Sequence, residues 1–222
     1  MLQISNLSIN YDGKSIVNDL SFLVRRGELV CLQGKSGCGK TSILNCIMGF
    51  TPYTGSITMD GKLLNESTVD ELRRLVAYVP QELALPQQTV REMVYLPYQL
   101  KANRHSQPSE DTVFEEWKRL NLDASLMDMS ASAISGGQRQ RIMLSVAGLL
   151  GKSLMLVDEP TSALDSDNVQ LVLDYFRFLA ASRNMAILVA SHHQEIIRGC
   201  DMVVRIEGTM NHKTRESHEY GD

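Results

Sequence analysis

Leu29-Val30-Cys31-Leu32-Gln33-Gly34-Lys35-Ser36-Gly37-Cys38-Gly39-Lys40-Thr41-Ser42-Ile43-Leu44 changes its hydrophobic period twice within a short span. The continuous apolar run Leu29 to Leu32 reads as a buried strand. Glycines then crowd the chain, and Ile43, Leu44, Ile47 and Met48 return at helical spacing until Gly49, a helix stop signal. Strand, loop and helix in that order are the setting a phosphate-cradling loop requires, and Gly34 to Thr41 carries its residue pattern. Glycines let backbone N–H groups curl around phosphate oxygens, and the helix N-terminus adds a favourable dipole. Lys40 supplies a mobile positive charge and Thr41 a hydroxyl suited to Mg2+. Gly34, Ser36, Gly37, Cys38, Gly39, Lys40, Thr41 and the adjoining Ser42 are the candidate nucleotide contacts, with Cys38 at a position the pattern leaves free.

Outward from this stretch the chain alternates strands and helices. Leu2, Ile4, Leu7 and Ile9 recur at nearly every second position, Leu20 to Val24 is a second short run, and Asp60-Gly61 after Ser56 to Met59 marks a hairpin. Leu75 to Val79 ends at Pro80. Residues 81–150 lack a strong strand signal and read as helices, punctuated by Pro97 and Pro108. Strand signals return at Leu154 to Val157, Ile187 to Ala190 and Met202 to Ile206, with a helical stretch from Val169 to Ala181. This order implies an α/β fold: a mostly parallel sheet flanked by helices, preceded by antiparallel strands and interrupted by a helical insert. One domain is expected, with a core over about residues 1–81 and 151–210, an insert over about 82–150 and a polar tail over 211–222.

The chain has 222 residues and a formal net charge of -4, which argues against a nucleic-acid partner, since such domains carry a basic stripe. No stretch approaches the ~20 apolar residues of a membrane span, and the N-terminus lacks a signal pattern, so a cytoplasmic location is expected. Cys31, Cys38, Cys46 and Cys200 show neither metal-ligand spacing nor disulfide density and read as reduced thiols. Cys38 sits at a helix N-terminus, where a thiol can have a lowered pKa, so bound nucleotide is expected to slow its alkylation.

The phosphate loop alone does not distinguish kinase, GTPase, helicase and transporter chemistry. Leu154-Met155-Leu156-Val157 runs into Asp158-Glu159, and strand alternation lets two adjacent carboxylates face different tasks: one toward Mg2+, the other toward an attacking water. Ile134-Ser135-Gly136-Gly137-Gln138-Arg139-Gln140-Arg141 places a second glycine-bearing loop before a helix with an apolar face (Ile142, Met143, Val146, Ala147, Leu150). That is a second phosphate-binding helix N-terminus.

Ile134 to Arg141, lying 23 residues before Asp158 when counted from Ser135, resembles the signature sequence of ABC ATPases. The resemblance spans about Leu2 to Glu207, and departs only mildly at Ile134 and His193. It implies a P-loop NTPase core, ATP and Mg2+ as ligands, and a head-to-tail homodimer in which Ser135, Gly136, Gly137 and Gln138 of one copy close over ATP held by another. Tyr11 resembles the aromatic residue that stacks on adenine. Gln81 resembles the glutamine that senses Mg2+ and the attacking water. Ser162-Ala163-Leu164-Asp165 resembles a loop crossing the dimer interface, and His192 the switch histidine at the γ-phosphate. The implied roles are Glu159, His192 and Gln81 in catalysis, and Thr41, Gln81 and Asp158 around the metal.

Within the family, residues 89–100 and the compact C-terminus look most like small bacterial metal or iron export ATPases, with lipoprotein-release and macrolide-export ATPases close by. The implied partner is a separate transmembrane permease docking near Gln81 to Tyr98, with Leu83, Leu85, Pro86, Met93, Val94, Tyr95 and Tyr98 as contact candidates. The chain then sits on the cytoplasmic face of the cell membrane. The alternative is an ABC ATPase of a soluble assembly such as iron-sulfur cluster biogenesis.

Overall fold

The computed structural model describes residues 1–11, 13–81, 89–161 and 164–206. The N-terminal third begins with β1 (Leu2–Tyr11) and β2 (Lys14–Val24), followed by β3 (Leu29–Gln33), α1 (Lys40–Ile47), β4 (Thr54–Met59) and β5 (Lys62–Leu63). β1 buries Leu2, Ile4, Leu7 and Ile9. The slip in that alternation has a structural cause: Asn6 adopts φ 50, and the pairing with β2 shifts register between Ile4 and Leu7. A bulge there restores the inward face after one extra residue. β2 is longer than the expected Leu20 to Val24. Only Val17 and Val24 of it are fully buried, so its first half carries no apolar run to read.

After α2 (Val69–Arg73) and β6 (Val76–Val79), the insert supplies α3 (Val90–Tyr95), α4 (Glu110–Arg119) and α5 (Gly136–Leu149), joined by short 3-10 segments over 96–99, 104–106 and 124–128. The chain then returns through β7 (Leu154–Asp158), α6 (Ser166–Arg183), β8 (Ala186–Ser191), α7 (Gln194–Gly199) and β9 (Met202–Arg205). β2, β1, β4 and β5 form an antiparallel sheet in that order; β6, β7, β8, β3 and β9 form a five-stranded parallel sheet.

Strand alternation divides the core of the parallel sheet into two hydrophobic clusters. Val30, Leu32, Leu156 and Leu188 pack with α1 and the antiparallel sheet. Leu29, Val157, Ile187 and Val189 pack with α6 and with Trp117, Met93 and Val94 of the insert. The insert therefore has no separate core; its apolar face is continuous with one side of the sheet. Met93, Val94 and Tyr98 are interior, which corrects the expectation that they offer a docking surface. Tyr95 is half-buried against the same cluster, and Leu83, Leu85 and Pro86 lie outside the described residues, as do Ser162, Ala163 and the tail. No helix of the described residues is long and apolar enough to cross a membrane.

Candidate active site

Three neighbouring parallel strands, β7, β8 and β3, deliver their carboxyl ends to one edge of the sheet, the place where such sheets bind ligands. From β3 the chain turns through Gly34 to Gly39. Gly39 has φ 104, and a Cβ there would come within 2.7 Å of Ile16 Cγ2 and 2.9 Å of Val17 Cγ2, so only glycine lets the loop pass under β2. Gly39 also caps α1 without any side-chain hydrogen bond, leaving the helix N-terminus available to an anion.

Lys40 is only 6% exposed. Its Nζ donates to the Gly34 carbonyl at 2.8 Å and the Lys35 carbonyl at 3.3 Å, and pairs with Glu159 Oε1 at 3.1 Å. Three acceptors match the three protons of an ammonium. Thr41 Oγ1 donates to Asp158 Oδ2 at 2.7 Å. Among the described residues, Asp158 Oδ1 is buried with no hydrogen-bond partner. Burial pushes the Asp158 carboxyl up from its ordinary pKa, against the lowering effect of the Thr41 hydroxyl. An orphaned carboxylate oxygen beside a hydroxyl is a hard-oxygen donor set, and it fits Mg2+.

Glu159 does not continue β7. Its backbone turns to φ 44 while its N–H bonds the Ala190 carbonyl at 2.8 Å. A left-handed non-glycine residue at a functional position is a known form of local strain. That turn, rather than strand alternation, aims the two carboxylates differently: Asp158 meets Thr41, while Glu159 meets Lys40 on one oxygen and His192 Nδ1 on the other, at 2.9 Å. His192 follows directly on β8 and is exposed. Gln81 lines the same cleft of about 170 Å3 as Ser36, Gly37, Lys40, Thr41 and Glu159. Ile16 of β2 also lines it. Sequence reasoning missed Ile16 because it falls in the half of β2 without an apolar period.

Other expected site residues stand elsewhere. Tyr11 ends β1 with 66% of its surface exposed. The Cys38 thiol faces inward: it belongs to the core cluster, and a Cβ at Gly34 would overlap its sulfur. Ser135 caps α5 in a reciprocal box: its hydroxyl accepts from the Gln138 N–H at 3.1 Å, and Gln138 Oε1 accepts from the Ser135 N–H at 2.8 Å. Among the described residues no acceptor takes the Ser135 hydroxyl proton. Ser135 and Gly136 are exposed, and none of Ser135, Gly136, Gly137, Gln138 or Asp165 lines the cleft. Asp165 caps α6, and its hydrogen bonds from Asn168, backbone first, hold its carboxyl below the ordinary range.

A glycine loop and open helix N-terminus with a buried lysine, facing two carboxylates from the adjacent strand, define a P-loop nucleoside triphosphatase. Residues 17–162, well over half the chain, match the ABC transporter family, and the chain belongs to it. It is an ABC ATPase cassette. Over 208 residues it is 28% identical to the probable iron export ATP-binding protein FetA of Escherichia coli K12, covering 93% of this chain and 91% of that protein. It is 34% identical to the glutathione/L-cysteine transport system ATP-binding/permease protein CydD of Haemophilus influenzae, covering 88% of this chain and 33% of that protein. The chain thus spans about a third of CydD and 38% of a probable ATP-binding/permease protein from the same organism. Among solved structures, an ATP-binding subunit of an ABC transporter superposes with TM-score 0.78 at 26% identity, covering 93% of this chain and 85% of that one. The dimeric post-hydrolysis structure of the ATP-binding cassette MJ0796 with ADP and Pi superposes with TM-score 0.81 at 24% identity, covering 93% and 94%, and supports the fold.

Proposed function

We propose that the chain acts as one half of an ATP-dependent head-to-tail pair that powers a separate membrane permease, working peripherally at the cytoplasmic face of a membrane. The observation that carries this reading is the separation of two phosphate-binding helix N-termini. The cleft gathers the Gly34–Thr41 loop, Gln81 and Glu159, while the exposed Ser135 cap is not among its lining. A second copy, turned about, supplies that cap to the open side of the cleft. The coverage of FetA supports the subunit reading: 91% of that relative, named a probable iron export ATP-binding protein, is matched.

In this mechanism the α1 N-terminus and the Gly34–Gly39 backbone hold the phosphates, and Lys40 exchanges its Glu159 contact for a phosphate oxygen. Asp158 and Thr41 are the residues that would hold Mg2+, which when bound neutralises phosphate charge. Released from Lys40, Glu159 accepts the proton of the attacking water. His192, anchored on the second Glu159 oxygen, orients that carboxylate and reaches the γ-phosphate, and Gln81 positions the water. Positioning and charge stabilisation carry most of the rate in such transfers.

Glu159→Gln keeps the shape of the site and removes the base. Turnover is expected to fall about a hundredfold or more, and the variant should accumulate as an ATP-bound dimer on size-exclusion chromatography with light scattering. Near-wild-type phosphate release would remove Glu159 from the role of base, and a monomer at saturating MgATP would remove the paired reading.

A further inference from the structure

Away from the cleft, a buried carboxylate joins three helices. Glu116 of α4 is 3% exposed and accepts a hydrogen bond from the Tyr175 hydroxyl of α6 at 2.5 Å and another from Arg183 Nη2 at 2.5 Å. The same guanidinium donates through Nη1 to the Gly148 carbonyl near the end of α5, at 3.0 Å. Gly148 is where the three helices meet: a Cβ there would overlap the Tyr175 hydroxyl oxygen and lie 3.1 Å from Glu116 Oε1. A glycine inside a helix is unfavourable relative to alanine, so this close approach comes at the expense of helix stability. Both oxygens of the buried charge are satisfied, the condition under which a buried polar network fixes one arrangement of its elements.

The helices so joined begin at the residues the pairing depends on. α5 starts at its Ser135 cap and α6 at its Asp165 cap. Their C-terminal regions are clamped together, and α4 is clamped to both. A small rotation at Gly148 would be magnified along α5 before reaching Ser135, and a misplacement of 1 Å at a catalytic position can cost about a hundredfold in rate.

We propose that Glu116, Tyr175 and Arg183 are positioning residues for the pairing step: they set the angle at which α5 presents the Ser135 loop to a second copy of this chain. The inference rests on the head-to-tail reading above. It assigns these residues no contact with nucleotide, so their loss should spare ATP binding by the single chain and impair its pairing.

The test places Glu116→Gln, Gly148→Ala and the double change Gly148→Ala/Tyr175→Phe on the Glu159→Gln background, with the parent alongside. MgATP affinity at concentrations where the chain is monomeric should stay within about twofold of the parent. The ATP-driven dimer should weaken about tenfold or more for Glu116→Gln and Gly148→Ala. Removing the tyrosine oxygen relieves the overlap with the added alanine methyl but also strips a hydrogen bond from Glu116, so the double change should leave dimerisation impaired; recovery to the parent level would overturn the positioning role of Tyr175. Loss of ATP affinity and dimerisation in parallel with the melting temperature overturns the inference in favour of a general stability role. Parent-like dimers in both single variants overturn it too, while leaving the pairing reading standing. A parent that fails to pair removes that reading and this inference together.

Discussion

At the residue level, Lys40 and Glu159 hold each other in check. The ammonium has its three acceptors, and the carboxylate has Lys40 on one side at 3.1 Å and the His192 ring on the other at 2.9 Å. In the proposed mechanism a triphosphate competes for the lysine and frees one carboxylate oxygen as it does so, so occupation of the site and activation of the base are one exchange. Lys40→Ala removes a charge-assisted contact to phosphate and is expected to weaken MgATP binding by about 10- to 100-fold, as titration calorimetry can measure. Unchanged affinity would exclude Lys40 from the phosphate site. The identity of these residues is legible in the sequence because the G-x-x-x-x-G-K-T pattern and the Asp158-Glu159 pair are local. Their mutual contact is not, because it spans 119 positions of chain from Lys40 to Glu159 and depends on the left-handed turn at Glu159, which no residue preference announces.

At the level of elements, the proposed pairing gives α5 two duties at one end. Ser135 closes its first turn, and the same hydroxyl retains a proton to donate outward. The duties separate by substitution. Ser135→Ala should lower helix stability by about 1 kcal/mol as well as activity. Ser135→Asn should keep the cap, since asparagine caps as well as serine, yet lose most ATP turnover. Full activity in the asparagine variant would reduce Ser135 to a cap. Elements are readable wherever their period matches their burial: β3, β7 and β8 are visible as unbroken apolar runs because both their faces are covered. The five-residue α2 escapes a sequence reading because only Leu72 of it is buried, too little to establish a period. In the insert, Met93 and Val94 are apolar and follow Gln81, features equally compatible with a docking face and a core face. Tertiary packing with Trp117 decides for the core.

For the whole molecule, a composite site predicts complementation. Lys40→Ala retains an intact Ser135 cap, and a Ser135→Arg chain retains an intact phosphate loop. Each alone should be nearly inactive, whereas an equimolar mixture assembles one complete site per mixed pair and should regain ATP turnover. A mixture no more active than its parts would argue that each chain works alone. The arrangement of the parallel sheet has a further effect, on how the molecule acquires its activity. The phosphate loop leaves β3 near residue 34, the carboxylates leave β7 near residue 158, and the histidine leaves β8 at residue 192. These strands lie side by side only when the distant parts of the chain have found their register, which is the slow kind of assembly, dominated by non-local pairing. Nucleotide then binds only the finished sheet, so its affinity is added to the stability of the entire fold by mass action. In the cell the abundance of this chain would follow the supply of its own fuel.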